Sequence, residues 1–129
     1  AFDLATTWPD TGSAWDDSQY ITLSFVRCGR LVTMRLPESD YAGADGSSPI
    51  ISSATAIPSR FMPPTPIWAF IRVKNNGGSW QATPGLIHID PSVAIAPIVI
   101  YPDGNATTAW VGGTIGFDDT CVSWITPDF

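Results

Sequence analysis

The chain has 129 residues, with six basic and twelve acidic side chains and a net charge of −6 at pH 7. This length suits one domain with one core, and a hydrophobic content of 44% excludes a disordered chain. Binding to nucleic acid or an anionic membrane requires a basic surface, whereas the three nearest arginines, Arg27, Arg30 and Arg35, are spread over one predicted hairpin. We therefore expect no nucleic-acid partner and, without an apolar run of spanning length, no membrane insertion.

Composition also predicts the fold class. Lys74 is the only lysine and Glu38 the only glutamate, so the straight-chain polar residues that coat helix surfaces are almost absent. Twelve prolines and 11 glycines leave few windows of helical length, and strand-forming residues fill the segments between them. The predicted fold is all-β, a single-domain antiparallel β-sandwich of jelly-roll type.

The first segment, residues 1–19, is predicted to be an N-terminal arm or stalk connection, because it is polar and shows no sustained period. We expect its two tryptophans, Trp8 and Trp15, to pack against the body or a neighbouring subunit. The head domain is predicted to span residues 20–129.

The head begins with the clearest local pattern, a β-hairpin. Apolar and polar residues alternate over 20–27 and again over 31–36, and Cys28-Gly29-Arg30 between them supplies a tight turn. Residues 37–48 follow as a loop rich in Gly, Asp and Ser.

The rest of the chain is predicted to form short strands joined by turns. A proline-rich extended crossing occupies 58–66, and Asn75-Asn76-Gly77-Gly78 is a hairpin-turn signal. Another turn is predicted at 102–105. The remaining strands are predicted at 50–57, 67–74, 80–90, 93–101, 110–117 and 120–125.

The two cysteines, Cys28 and Cys121, do not form a metal motif with the single histidine. Two states fit the sequence: a disulfide between an early and a late strand, or two free thiols in the core. We expect free and buried thiols, since Cys is among the residues most often found fully buried.

Catalytic motifs are not evident. His88 is the only histidine, and no GxSxG element accompanies it. Its strand context predicts a surface side chain, a ligand-contacting side chain, or a wall residue whose hydrogen bonds are satisfied. The acidic pairs 16–17 and 118–119 are predicted to be solvated turn residues, and neither has the spacing of a calcium loop. We therefore expect no enzyme activity, no cofactor and no metal.

Aromatic residues are the best sign of a binding site, because exposed rings stack on sugars beside Asp and Asn groups. Trp68, Trp110 and Trp124 lie in strand contexts and are predicted to be core. Trp80 follows the 75–78 turn and is the best candidate for an exposed loop ring. The predicted ligand-binding residues come from this turn and from the 37–48 loop: Trp80, Asn76, Gln81, Asp40, Tyr41 and Asp45.

The order of motifs along the chain carries a resemblance. The hairpin FVRCGRLVTMRL precedes a proline-bounded crossing, AIPSRFMPP, and then two strands around a loop, IWAFIRVKNNGGSWQATPGLIHI. A strand enters an Asp-Gly turn in IVIYPDGNA, and CVSWI supplies a final strand with a Ser-aromatic pair. Over residues 20–126 this order resembles the C-terminal heads of bacteriophage tail fibres and related viral appendages. Two departures are a longer, more apolar 91–97 segment and no preceding coiled-coil or triple-helical stalk.

The resemblance implies a homotrimeric, non-enzymatic head that is exposed on the virion and binds a host cell-surface glycan or protein receptor. It transfers no individual ligand residues, because the binding loops vary within the family. A charged content of only 14% and apolar runs such as VAIAPIVI favour an oligomer independently. Two other functions stay open: a structural capsid-decoration protein, and an extracellular lectin-like or complement-type trimeric head.

Overall fold

The computed structural model describes residues 2–8, 19–43, 50–53, 57–75, 78–93, 98–105, 110 and 113–126. The regular structure of these residues consists of β-strands and one short 3-10 turn, Ser59–Phe61. All paired strands run antiparallel. The predicted all-β class is confirmed, with more strands than the sequence pattern indicates.

The strands divide between two sheets. The first five are β1 (Phe2–Trp8), β2 (Gln19–Cys28), β3 (Leu31–Leu36), β4 (Ser39–Gly43) and β5 (Ile50–Ser53). The others are β6 (Ile67–Ile71), β7 (Val73–Lys74), β8 (Gly85–Ile89), β9 (Ile98–Tyr101), β10 (Gly113–Phe117) and β11 (Thr120–Ile125). The larger sheet has the order β11-β3-β2-β1-β5-β9-β8-β6, and the smaller sheet has the order β4-β10-β7. Within the described chain, β11 and β6 are the outermost strands of the larger sheet.

The predicted hairpin is confirmed as β2 and β3. Cys28 pairs with Leu31, so only Gly29 and Arg30 form the connection. Gly29 has φ +62°, a conformation that a side chain would strain. The alternation places one face of the hairpin in the core, where five side chains are fully buried: Leu23, Phe25, Val32, Met34 and Leu36.

One continuous core contains side chains from both sheets. The ring of Phe25 meets Phe61 and Trp124 edge to face, with centroids 6.0 and 6.3 Å apart. The Trp124 Nε1–H donates to the carbonyl oxygen of Phe61 at 2.8 Å, which satisfies the buried indole. Trp110 is also buried. The smaller sheet contributes Val73, Ile115 and Phe117 to the same cluster.

Residues 2–8 of the predicted N-terminal arm belong to the larger sheet. They form β1, which pairs with β2 from Phe2↔Phe25 to Trp8↔Gln19 and with β5 on its other side. Apolar and polar residues do alternate in FDLATTW, but these seven residues are too few to give a sustained period over the whole 19-residue segment. Trp15 lies outside the described residues.

Two further boundaries differ from the sequence prediction. Part of the predicted 37–48 loop is β4, which pairs with β10 from Ser39↔Phe117 to Gly43↔Gly113. Tertiary pairing therefore overrides the weak strand propensity of Ser, Asp and Gly. The predicted strand 67–74 is divided at Arg72, because β6 belongs to the larger sheet and β7 to the smaller one.

Both cysteines are free, as expected, but they are exposed, so the predicted burial is wrong. Cys28 pairs with Leu31 and Cys121 pairs with Arg35, which places them about 13 Å apart along β3. A disulfide needs Cα atoms within about 7 Å. Both occupy positions of the face opposite the buried hairpin residues, so alternation rather than residue type decides their exposure.

The described part of the chain contains no helix that is long and apolar enough to cross a membrane.

Candidate ligand-binding site

Three strands at one end of the larger sheet present aromatic side chains on the face opposite the core. Trp68 of β6 pairs with His88 of β8, and Phe70 pairs with Leu86, which in turn pairs with Tyr101 of β9. The intervening residues of these strands face inward and supply Ile71, Ile87, Ile89, Ile98 and Ile100 to the core. Strand alternation therefore gathers Trp68, Phe70, His88 and Tyr101 on one surface, here called the aromatic face.

Three of the four rings of the aromatic face are stacked. The Trp68 and His88 ring centroids lie 3.8 Å apart with 15° between the planes, and Trp68 and Tyr101 lie 6.3 Å apart at 27°. Trp68 is nevertheless 51% exposed and Phe70 is 69% exposed. Cross-strand stacking fixes the orientation of the indole before any ligand arrives, so less rotamer entropy is lost on binding.

The exposure of Trp68 corrects the prediction that it is a core residue, whereas Trp110 and Trp124 are core as predicted. In the sequence IWAFI every position is apolar, so alternation cannot tell which face is buried. β6 is an outermost strand of its sheet, and Ile71 occupies the inward face.

Beside the aromatic face is an open depression of about 390 Å³, here called the first depression. Its apolar floor carries one amide group, that of Asn105, which can both donate and accept hydrogen bonds. It is lined by Trp68, Phe70, Leu86, Gly104 and Asn105. The volume lies in the range of small-molecule sites, and the combination of apolar surface with a few polar groups is typical of them.

The 102–105 turn brings Asn105 to this depression. Gln81 Nε2 donates to the carbonyl oxygen of Pro102 at 2.6 Å, which ties the turn to the segment after Trp80. Gln81 was predicted to contact ligand; in the structure its amide has this internal partner. Its backbone N–H also donates to the carbonyl oxygen of Val73 at 2.9 Å.

A second depression, of about 340 Å³, is also lined by Phe70. Phe70 is thus common to both depressions. The second depression differs from the first by containing a cation, Arg72. Its lining residues are Phe70, Ile71, Arg72, Gln81, Ala82 and Pro84.

Trp80, predicted to be an exposed loop ring, is half-buried. Arg72 Cζ and Lys74 Nζ each lie 4.5 Å from the centroid of its ring. The backbone of Trp80 forms an isolated antiparallel bridge with Lys74. Each cation–π contact is worth about 0.5–1 kcal/mol at an exposed site, and together they hold the indole against the protein.

The other predicted site residues do not join the aromatic face. On β4, Asp40 pairs with Gly116 of β10. Gly116 pairs on its other side with Lys74 of β7, and Lys74 forms the bridge with Trp80. Asp40 and Trp80 are thus in one row but three strand spacings apart, or about 14 Å. Tyr41 is the next residue of β4, opposite Ile115. Asn76 and Asp45 lie outside the described residues.

No family model and no curated protein matches the chain.

Two acidic side chains, Asp90 and Asp119, accept hydrogen bonds from other residues of the chain. Asp90 Oδ1 accepts hydrogen bonds from the hydroxyl and the backbone N–H of Ser92 at 2.6 and 2.9 Å, which lower the pKa of Asp90. Asp119 accepts two hydrogen bonds from Arg35, at 2.9 and 3.3 Å, and they hold the pKa of Asp119 below its usual range. Among the described residues, no three His, Cys, Asp or Glu side chains are grouped as a metal site would require.

Sequence reasoning missed the main residues of this site, namely Trp68, Phe70, Tyr101 and Asn105. A usable signal existed in the two bulky aromatics spaced two apart in IWAFI, matched by His88 at the centre of LIHID. Both faces of β6 are apolar, so only the packing of Ile71 into the core reveals which face is open.

Proposed function

We propose that this chain is a non-enzymatic recognition domain that binds a glycan on the aromatic face. One observation carries the proposal: an indole stacked on an imidazole, 51% exposed, beside an apolar depression that ends in an amide. A pyranose presents weakly polar C–H groups on its faces and hydroxyls around its edge. The C–H groups suit the negative faces of Trp68 and Phe70, and the hydroxyls suit the Asn105 amide.

A sugar fits this surface better than a fully apolar ligand does. The first depression is open, so a ligand keeps part of its surface in water, which favours a molecule with a polar edge. Single sites of this kind bind weakly. Several linked copies would raise the overall affinity without any new contact.

Within this proposal the two sheets form a β-sandwich around the common core, and the domain assembles as a trimer. Support for assembly comes from three apolar side chains on the outer face of β2, β3 and β11. Val26, Leu31 and Ile125 are 55, 44 and 53% exposed, and Leu31 pairs directly with Ile125. A second copy of the chain is the partner we assign to this surface. Sedimentation showing a stable monomer at micromolar concentration would contradict it.

The place of such a domain is proposed to be the exposed tip of a viral fibre or tail appendage, where it recognises its host. The order of motifs along the chain is what supports this placement. A capsid-decoration role is the second candidate, and it differs in requiring no ligand on the aromatic face.

A glycan array probed with the labelled protein tests the proposal. We expect Trp68→Ala to lower the signal of bound glycans at least about tenfold, because a tryptophan that a ligand covers on binding contributes about 2 kcal/mol or more. Val93→Ala is the control, since it removes another exposed apolar side chain that lines neither depression. No glycan above background, or equal signals for Trp68→Ala and the wild type, would contradict glycan binding.

A further inference from the structure

The second depression gives the site an electrostatic property that the first lacks. Arg72 lies two residues after Phe70, about 7 Å along the chain, and both line this depression. Phe70 also lines the first depression. A ligand with two or more sugar units can therefore stack on Trp68 and Phe70 and continue to Arg72.

The guanidinium of Arg72 is held in place but keeps its donors. Its Cζ lies over the Trp80 ring, and Asp118 N–H donates to the backbone oxygen of Arg72 at 2.9 Å. The nearest acid is Asp118, with 3.8 Å between Arg72 Nη1 and Asp118 Oδ2, which is too long for a hydrogen bond. Within the described part of the chain, no hydrogen bond engages the Arg72 guanidinium, and its side chain is 57% exposed.

The surroundings of Arg72 are locally cationic in an acidic protein. Lys74 approaches the same Trp80 ring, so two of the six basic residues meet at one indole. Asp118 forms an ion pair with Arg72 and offsets part of this charge, while the guanidinium keeps its hydrogen-bond donors for a ligand. A planar guanidinium with free donors matches a carboxylate in a two-bond geometry, which a point charge does not provide.

We infer that the glycan taken by this site carries a carboxylated sugar, a uronic or sialic acid unit, whose carboxylate pairs with Arg72 while the neighbouring unit lies on Trp68 and Phe70. The inference rests on the proposed glycan binding. It specifies the class of ligand, an acidic oligosaccharide. The second depression binds the carboxylate, and the first binds the neighbouring sugar unit. Binding is then expected to weaken as salt concentration rises, because the Arg72 contact is exposed.

The test is an array of matched pairs, in which each acidic oligosaccharide stands beside the same molecule with its carboxylate reduced to an alcohol. Charge-assisted hydrogen bonds predict a preference of about tenfold for the acidic member. Arg72→Gln should remove the preference, because the acidic member then loses its carboxylate partner and binds no better than the neutral member. Arg72→Lys, which keeps the charge without the planar fork, should retain part of it.

Arg60→Gln is the matched control. Arg60 is another exposed arginine above an aromatic ring, 5.0 Å from the Phe61 centroid, and it lines neither depression. It should keep the full preference.

Equal binding of both members by the wild type, or a preference that survives in Arg72→Gln, would overturn the inference while leaving neutral glycan binding intact. Loss of neutral binding in Trp68→Ala identifies the first depression as the stacking site. Failure of every pair to bind would instead contradict the glycan proposal itself.

Discussion

The indole of Trp68 lies against the imidazole of His88 with 3.8 Å between ring centroids and 15° between planes. The two residues are direct cross-strand partners on β6 and β8. Because β6 has no further strand on its outer side in the described chain, this stack stands at the end of the sheet with half of the indole open to solvent.

His88 is expected to position Trp68 rather than to act chemically. His88→Ala removes the stacked partner, and we predict that glycan affinity falls about three- to tenfold, in line with about 0.5–1.5 kcal/mol for an aromatic pair. His88→Phe restores a flat ring and should recover most of the affinity. Titration calorimetry on the three proteins provides the comparison. Unchanged affinity in His88→Ala would show that the stack does not contribute.

Gly85 is expected to be required for stability. A Cβ built at Gly85 would lie 2.5 Å from the Tyr101 carbonyl oxygen and 2.7 Å from Val73 Cγ1. Gly85→Ala should therefore lower the free energy of unfolding by about 1–3 kcal/mol, measured by chemical denaturation. Gly104→Ala is the matched control, since its Cβ would meet Phe70 at an ordinary 3.8 Å. Equal stabilities of the two variants would contradict this packing.

The Arg35–Asp119 pair predicts a pH dependence. Hydrogen bonds from Arg35 lower the pKa of Asp119 from the usual 3.8, so the folded state favours the carboxylate. This contribution is present above the unfolded pKa and is lost as the pH falls through the lowered folded value. Asp119→Asn should therefore flatten the stability profile below about pH 4, and the effect should be small because the pair is exposed. Urea midpoints measured across this interval test it, with Arg35→Gln expected to match; a profile identical to the wild type would contradict the pairing.

Both cysteines should react readily. Cys28 and Cys121 are exposed and too far apart to bond to each other, so native protein without reductant is predicted to take up two alkyl groups. Intact-mass spectrometry counts the adducts. Two unmodified cysteines even under denaturing conditions would demonstrate a disulfide and a different register between β3 and β11.

The sequence predicts the fold best where one face of a strand is apolar and the other polar. The β2–β3 hairpin and β11 follow from such alternation, and Gly29 marks the turn. Prediction fails where composition and pairing disagree, as in β4, whose Ser, Asp and Gly residues form a strand because β10 pairs with them. It fails again at the candidate site, because the exposure of Trp68 depends on which face of β6 packs on the core, and this is not a local property of the sequence.

Glycan binding on the aromatic face is tested most directly by NMR. The indole N–H signals of all six tryptophans are recorded while the oligosaccharide with the strongest array signal is added. Binding on the aromatic face predicts that the Trp68 signal shifts progressively with ligand, while the signals of the buried Trp110 and Trp124 stay in place. A Trp68 signal that does not move when the oligosaccharide is bound would contradict the central claim.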